Sequence, residues 1–179
     1  MNFCSQCGKP TVVRVPEGDN RERHVCDHCD TVHYQNPRII AGCIPTAGDR
    51  VLLCRRAIEP RRGFWTLPAG FLENGETTLQ GALRECREEA GAELLDTTLC
   101  GIYDIPHISQ VYIFYQGPLA NKDCTPGEES LEAGLFSEEE VPWQELAFPV
   151  INLALEHFFA DFRGGQAAVR SGTIHRRLR

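Results

Sequence analysis

Leu83–Gly91 reads LRECREEAG and packs three carboxylates, Glu85, Glu88 and Glu89, into five residues. Glu76-Thr77-Thr78 opens a helix ahead of this stretch, and Gly91 stands where a C-terminal cap belongs. At about 100° per residue, Leu79, Ala82, Leu83, Cys86 and Ala90 gather on one stripe, which must face a core. The three glutamates gather on another face, about a third of a turn away, together with Gly81 one turn earlier. A bare Gly inside a helix costs about 1 kcal/mol relative to Ala, so something bulky is expected to approach the backbone there. A solvated face explains the direction of the glutamates but not their repulsion, which destabilises by a few tenths of a kcal/mol per i,i+4 pair. Arg84 can pair with Glu88, yet the carboxylates outnumber it. A site for a hard divalent cation, Mg²⁺ or Mn²⁺, shared with a phosphate, explains both. Spacing alone leaves solvent and metal open.

The wider frame from Gly70 to Ala92 reads G-x5-E-x7-R-E-C-x-E-E-x-G-A, through Gly70, Glu76, Arg84, Glu85, Cys86, Glu88, Glu89, Gly91 and Ala92. It resembles the Nudix box, the loop–helix–loop signature of Nudix hydrolases. The one departure is Cys86, where an aliphatic residue is usual; its place on the core stripe accommodates it. The lead-in Trp65-x-Leu67-Pro68-Ala69-Gly70 also resembles the family's, and the likeness covers residues 38–162. It implies an α/β class chain with the Nudix α/β/α sandwich around a mixed sheet.

By the same resemblance, Glu85, Glu88 and Glu89 would hold divalent ions, Mg²⁺ or Mn²⁺. Gly70, through its carbonyl or its neighbour's, and Glu76 would belong to the cofactor site. Arg84 would orient a carboxylate, by pairing with Glu76. The implied activity is hydrolysis of the pyrophosphate bond in a nucleoside diphosphate derivative. Relatives often add an acidic residue from a later loop as ligand or base; in Gly127-Glu128-Glu129-Ser130-Leu131-Glu132, Glu129 is the first candidate and Glu128 the second. Zinc-ribbon relatives that act on NADH carry a Ser-Gln-Pro-Trp-Pro-Phe-Pro-like segment after the box. Here Asp104-Ile105-Pro106-His107-Ile108-Ser109-Gln110 stands instead, which favours ADP-ribose or FAD over NADH. Homodimerisation is common among relatives that cleave ADP-ribose and is expected on that ground.

Around the box, Arg38–Pro45 and Val51–Cys54 form apolar, β-branched runs joined by the turn Ala47-Gly48-Asp49, a hairpin. Leu94–Tyr103, Gln110–Gln116 and Leu131–Phe136 read as further strands, and Phe148–Phe162 has helical spacing. Intermixed strands and helices with hairpins point to a mixed sheet with helices on its faces. Glu138-Glu139-Glu140 reads as a helix start. Phe64, Trp65, Tyr103 and Phe114 offer rings for stacking on a base or, more commonly, for a core. Arg55, Arg56, Arg61 and Arg62 offer phosphate contacts or a solvated loop.

Before the box, Cys4-x-x-Cys7 and Cys26-x-x-Cys29 have the spacing of a four-thiolate site on two facing turns, with a hairpin turning at Pro16–Asn20 between them. With every ligand position filled by protein, the metal is a structural Zn²⁺, and it supplies folding energy to a module too small for a core. His24, His28 and His33 are alternative ligands that four cysteines make unnecessary. The other cysteines, Cys43, Cys54, Cys86, Cys100 and Cys124, read as small core fillers. The four-cysteine ribbon resembles that of the zinc-ribbon subgroup of the family. The organisation expected is a zinc ribbon at 1–36, a Nudix domain at 37–162 and a basic tail at 163–179.

The net charge of −7 conceals an asymmetry: the last 17 residues hold five arginines and no acid, so the body carries −12. An acidic body argues against broad nucleic-acid binding, and the Gly-Gly and small polar residues of the tail read as a poorly packed terminus. No apolar run of membrane-spanning length and no secretory leader are present, which gives an expectation of a cytoplasmic protein without a membrane partner. The competing reading is a non-catalytic nucleotide sensor or nucleic-acid-binding regulator using the ribbon; RNA de-capping is a third, with the same chemistry on a larger substrate.

Overall fold

The computed structural model describes residues 1–121, 123–165 and 168–175. The chain divides into two compact units, Met1–Asn36 and Pro37–Arg179. The first is a three-stranded antiparallel sheet of β1 (Val12–Arg14), β2 (Arg23–Val25) and β3 (Val32–His33), in that order. Only Cys4, Pro16, Val25, Cys26 and His33 are buried in it, so it lacks an apolar core of useful size.

The second unit is a mixed sheet with a helix on each face. Its elements are β4 (Arg38–Ala47), β5 (Arg50–Arg56), β6 (Trp65–Thr66), β7 (Ala69–Phe71), α1 (Thr78–Ala90), β8 (Thr98–Ile105), β9 (Gln110–Pro118), β10 (Ser130–Phe136), α2 (Pro149–Gly164) and β11 (Arg170–Thr173). The strand order is β10-β5-β4-β9-β8-β11, with β6 on β5 and β7 on β4. β4 and β9 run parallel in an unbroken register from Arg38↔Gln110 to Thr46↔Pro118. β4 and β5 pair only beside their turn, at Thr46↔Val51 and Ala47↔Arg50. They then splay, and the Trp65–Phe71 segment fills the opening, with β6 on β5 and β7 on β4.

Alternation along the strands divides the core into two layers. Ile44, Val51 and Leu53 face α2, among Trp65, Leu67, Phe114, Val150, Ile151, Leu155 and Phe159. Cys43, Leu52 and Cys54 face the other way, against Ala82, Cys86, Ala90 and Ala92. The α1 side is built from small residues, and the Cys43 thiol donates to the Ala82 carbonyl at 3.3 Å. Cys86 is fully buried in this layer of small side chains. Cys43, Cys54 and Cys86 are indeed buried core residues, while Cys100 and Cys124 are partly buried.

α1 starts and stops as its sequence dictates. Thr77 accepts from Gln80 N–H and the Gln80 side chain accepts from Thr77 N–H, a reciprocal cap worth about 1 kcal/mol. Gly91 ends the helix in the left-handed region at φ 59°.

Three expectations need correcting. The strand read from Leu94 begins at Thr98, because Asp96 takes a positive φ of 43° and breaks the run; Leu94 makes a single bridge to Leu119. Glu138–Glu140 forms a turn rather than a helix start: the Glu140 carboxylate accepts from Ser137 N–H and from Arg50, which fastens it to β5. The reading of 163–179 as a poorly packed terminus fails for Arg170–Thr173, which pairs parallel with β8 as the edge strand β11. Gly165, at φ 61°, ends α2. Arg170 then pairs with Asp161 of that helix through Nε at 3.0 and 3.1 Å. Arg176, Arg177 and Arg179 of that reading lie outside the described residues. No helix among the described residues is long and apolar enough to cross a membrane.

Candidate active site

One face of α1 forms the floor of a cavity of about 750 Å³. Glu85, Glu88, Glu89 and Arg84 line it from the helix, Ala69, Gly70 and Phe71 from β7, Arg56 and Pro60 from β5 and its loop, and Glu128 and Glu129 from the loop before β10. The three glutamates that helical spacing grouped therefore share a cavity with both candidates from the later loop.

Their environments differ. Glu88 is exposed, Glu85 is partly buried and Glu89 is 7% exposed. Arg84 bridges the first two: its Nη1 donates to Glu85 Oε1 at 2.7 Å and to Glu88 Oε2 at 3.0 Å. The same guanidinium donates to both Glu76 oxygens, from Nε at 3.1 Å and Nη2 at 2.8 Å, and to the Phe71 carbonyl. Arg84 thus does pair with Glu76, as expected. Glu76 also accepts from Glu73 N–H at 2.8 Å, and it stands off the cavity wall. In this structure it holds Arg84, one step back from the cavity. The Arg84 guanidinium in turn keeps the Glu76 carboxyl below the usual carboxylate range.

The Glu89 carboxylate has a single hydrogen bond among the described residues, from Ala69 N–H at 3.1 Å, and no ion pair. Burial, reinforced by the charges of Glu85 and Glu129 and only partly offset by Ala69 N–H and Arg56, pushes its carboxyl up to about 8. Burial also raises Glu85, against the pull of Arg84. A carboxylate buried with so little compensation needs a proton or a cation. Three hard oxygen donors facing one cavity suit Mg²⁺ or Mn²⁺. They do not converge on one point: among the described residues, the four cysteines of the ribbon are the one group of three or more ligand residues whose ligand atoms lie within 4.8 Å of one another.

Three glycines set this geometry. A Cβ on Gly70 would lie 2.2 Å from a Glu85 oxygen, so the carboxylate rests on bare backbone. A Cβ on Gly81 would lie 2.8 Å from Leu72 Cδ1 and from Glu76 Oε1, which accounts for the Gly inside the helix. A Cβ on Gly127 would lie 1.7 Å from the Glu88 carbonyl oxygen. Gly127 N–H donates to the Glu89 carbonyl at 3.1 Å, so the loop lies flat on the last turn of α1 and brings Glu128 and Glu129 to the cavity. Sequence reading missed Gly127; its only signal is a Gly directly before the acidic pair.

A second cavity, of about 380 Å³, adjoins the first and shares Arg56, Pro60, Ala69, Gly70 and Phe71 with it. Its other walls are largely apolar, with Ile105, Ile108, Tyr112, Phe148 and Ile174 beside His107 and Gln110. The segment at 104–110 that departs from the NADH-acting pattern thus supplies part of this recess. Of the four rings offered for stacking, Trp65, Tyr103 and Phe114 are core residues, and Phe64 lies under the Arg61 guanidinium. Of the four arginines, only Arg56 lines both cavities, its Nε held by the Pro60 carbonyl at 2.9 Å and its guanidinium over the Phe148 ring. Arg55 is paired with Glu132.

In the ribbon, Cys4 and Cys29 sulfurs lie 3.7 Å apart and those of Cys7 and Cys26 3.5 Å apart. A tetrahedral zinc with bonds of about 2.3 Å requires sulfur–sulfur edges of about 3.8 Å, so the cluster fits Zn²⁺. His33 Nε2 lies 3.3 Å from Cys4 Sγ, a hydrogen-bond partner of a ligand rather than a fifth ligand.

Comparison with known proteins agrees with both units. Residues 2–35 match the zinc-ribbon model described as Nudix N-terminal, and residues 36–160 match the NUDIX domain model. A NAD-capped RNA hydrolase NudC of Vibrio atlanticus is 38% identical over 171 residues, covering 94% of this chain and 61% of that protein. A protein of the same name from Pseudomonas aeruginosa is 31% identical over 145 residues, covering 78% of this chain and 49% of its own; the chain spans about half the length of such curated relatives. An ADP-ribose pyrophosphatase of Methanocaldococcus jannaschii is 30% identical over 122 residues, covering 64% of this chain and 69% of that one. The crystal structure of a NUDIX hydrolase from Nitrosomonas europaea has 50% identity and a TM-score of 0.94, over 98% of this chain and all of the other. The chain belongs to the Nudix family and carries the family's N-terminal zinc ribbon.

Proposed function

We propose that this Nudix chain hydrolyses the pyrophosphate bond of a nucleoside diphosphate derivative, with Mg²⁺ or Mn²⁺ held by Glu85, Glu88 and Glu89. The observation that carries the reading is Glu89: a buried carboxylate with one hydrogen bond, aimed into a cavity lined by six further acids. Bound Mg²⁺ would supply charge neutralisation on the phosphates and a more acidic water.

The chain's own groups do the rest. Arg84, fixed by Glu76 and the Phe71 carbonyl, bridges Glu85 and Glu88 through one nitrogen and offsets their repulsion while no cation is bound. Arg56 stands where the two cavities join, the position a diphosphate would occupy if its organic half lay in the apolar recess. Glu129 is the candidate to accept the proton of the attacking water as its oxygen joins phosphorus and the P–O–P bridge breaks. Its charge already raises both Glu85 and Glu89, which favours it over Glu128.

For the substrate we favour ADP-ribose or FAD over NADH, because the recess is built partly by the 104–110 segment that lacks the NADH-acting pattern. NADH and a NAD-capped RNA belong in the same assay, since curated relatives carry the latter in their name. The test is a panel of ADP-ribose, FAD, NADH, NAD-capped RNA and nucleotide sugars with Mg²⁺ or Mn²⁺. Release of nucleoside monophosphate from ADP-ribose or FAD ahead of NADH is expected. No product from any member, with protein shown to be folded, would leave the sensor or nucleic-acid-binding reading standing instead.

A further inference from the structure

We propose that β11 is a specificity element, which seats Ile174 in the wall of the apolar recess so that the ring-bearing half of a nucleotide packs against it. The proposal rests on the placement of the diphosphate at the carboxylate cavity and adds a residue on which nothing in the Nudix box bears.

The strand reaches the recess through a chain of contacts. Arg170–Thr173 pairs in register with Gly101–Asp104 of β8, and Ile174 N–H continues the ladder by donating to the Asp104 carbonyl at 2.8 Å. One residue beyond that pairing partner, Ile105 enters the recess, so the ladder sets Ile174 and Ile105 side by side in its lining. Ile174 also packs on the core layer that contains Tyr103 and Phe148. The strand is short and carries no large apolar residue, so its position depends on two anchors. Arg170 holds Asp161 of α2. Gly172 lies flat on the core: a Cβ there would be 2.7 Å from Leu153 Cδ2 and 3.3 Å from Tyr103 Cδ1. A larger residue at that position must lift the strand and withdraw Ile174.

The recess is suited to a planar ring. Its walls are branched aliphatic and aromatic, with His107 and Gln110 as polar groups, and it opens onto the carboxylates past Arg56. A nucleotide therefore has somewhere for its base, and Ile174 adds apolar area on the side that β8 alone would leave open to water.

The test separates the recess from the carboxylates by using two probes on the full chain with Mg²⁺. Titration with AMP reads both sites, and titration with inorganic pyrophosphate reads the carboxylate cavity alone. Ile174→Ala, a mild truncation, and Gly172→Val, which unseats the strand, should each weaken AMP binding by roughly 5- to 20-fold. Pyrophosphate binding should stay within about twofold in both. Far-UV circular dichroism and retained pyrophosphate binding show that the variants are folded. The idea is overturned if the wild-type chain binds pyrophosphate but not AMP, or if folded Ile174→Ala keeps its AMP affinity. Because the readout is binding, a negative substrate panel would defeat the hydrolase reading without touching this one.

Discussion

Replacing Glu89 by Gln in magnesium-free protein should make the fold less sensitive to rising pH. The native carboxyl is pushed up to about 8, from 4.5 for the ordinary group, chiefly by burial. Below about pH 4.5 folded and unfolded chains both hold the proton, and the buried group imposes no charge cost. Between 4.5 and 8 the unfolded chain has lost its proton while the folded chain keeps it, so each pH unit lowers folding stability by about 1.4 kcal/mol. Above 8 the loss levels off. From pH 6 to pH 8 this amounts to about 2 kcal/mol, or roughly 6 °C in melting temperature for a unit of this size.

Glu85 and the cysteines add their own pH dependence, so the informative quantity is the difference between wild type and variant. Differential scanning calorimetry at pH 6, 7 and 8 should show Glu89→Gln falling less steeply than wild type, with the two converging at low pH. Adding Mg²⁺ should raise the wild-type melting temperature more at pH 8 than at pH 6, where the proton competes for the same oxygens. Parallel pH slopes for the two proteins, with and without Mg²⁺, would refute the assignment of Glu89 as a buried group awaiting a cation.

Glu88→Gln removes an exposed carboxylate, so stability should move by less than about 0.5 kcal/mol while turnover on the panel's best substrate falls by 10² or more, on the order of several kcal/mol of lost metal stabilisation. Gly127→Ala forces a methyl onto the Glu88 carbonyl at 1.7 Å, so the loop must lift. Steady-state kinetics should then show kcat reduced on the order of tenfold, and calorimetry a destabilisation of about 1–3 kcal/mol. Cys26→Ser should lose the ribbon's zinc: metal analysis of wild type after mild chelation should still find one zinc per chain, while the variant should hold none and lose solubility.

The α1 helix was legible because each of its signals is local. Its cap at Thr77, its stop at Gly91 and the Ala82, Cys86, Ala90 stripe lie within 15 residues of one another. The ribbon was legible for a similar reason: thiolate pairs two residues apart admit few other uses. What local pattern does not contain is depth. Glu88 and Glu89 are adjacent and chemically identical, yet one is exposed and the other buried, because β7 lies over only one of them. The apolar recess escaped for a topological reason, since Ile105, Tyr112, Phe148 and Ile174 come from four separate segments. β11 escaped because its residues, Arg-Ser-Gly-Thr, carry no apolar alternation; the unpaired edge of β8 makes it a strand.

The positions where this sequence breaks local rules are themselves informative. Gly81 weakens a helix interior, the box glutamates repel one another, Glu89 is buried almost unpaired, and Gly127 lets a loop touch backbone where a side chain would insulate it. Each costs stability in the metal-free chain, and, apart from the Leu72 side chain that packs on Gly81, the core behind α1 gives no compensating reason for them. All four bear on one cavity, directly or through Glu76 and Arg84. Stability given up at scattered points would suggest drift. Given up around a single acidic cavity, it supports the proposal that this geometry is kept for a cation the polypeptide does not itself provide.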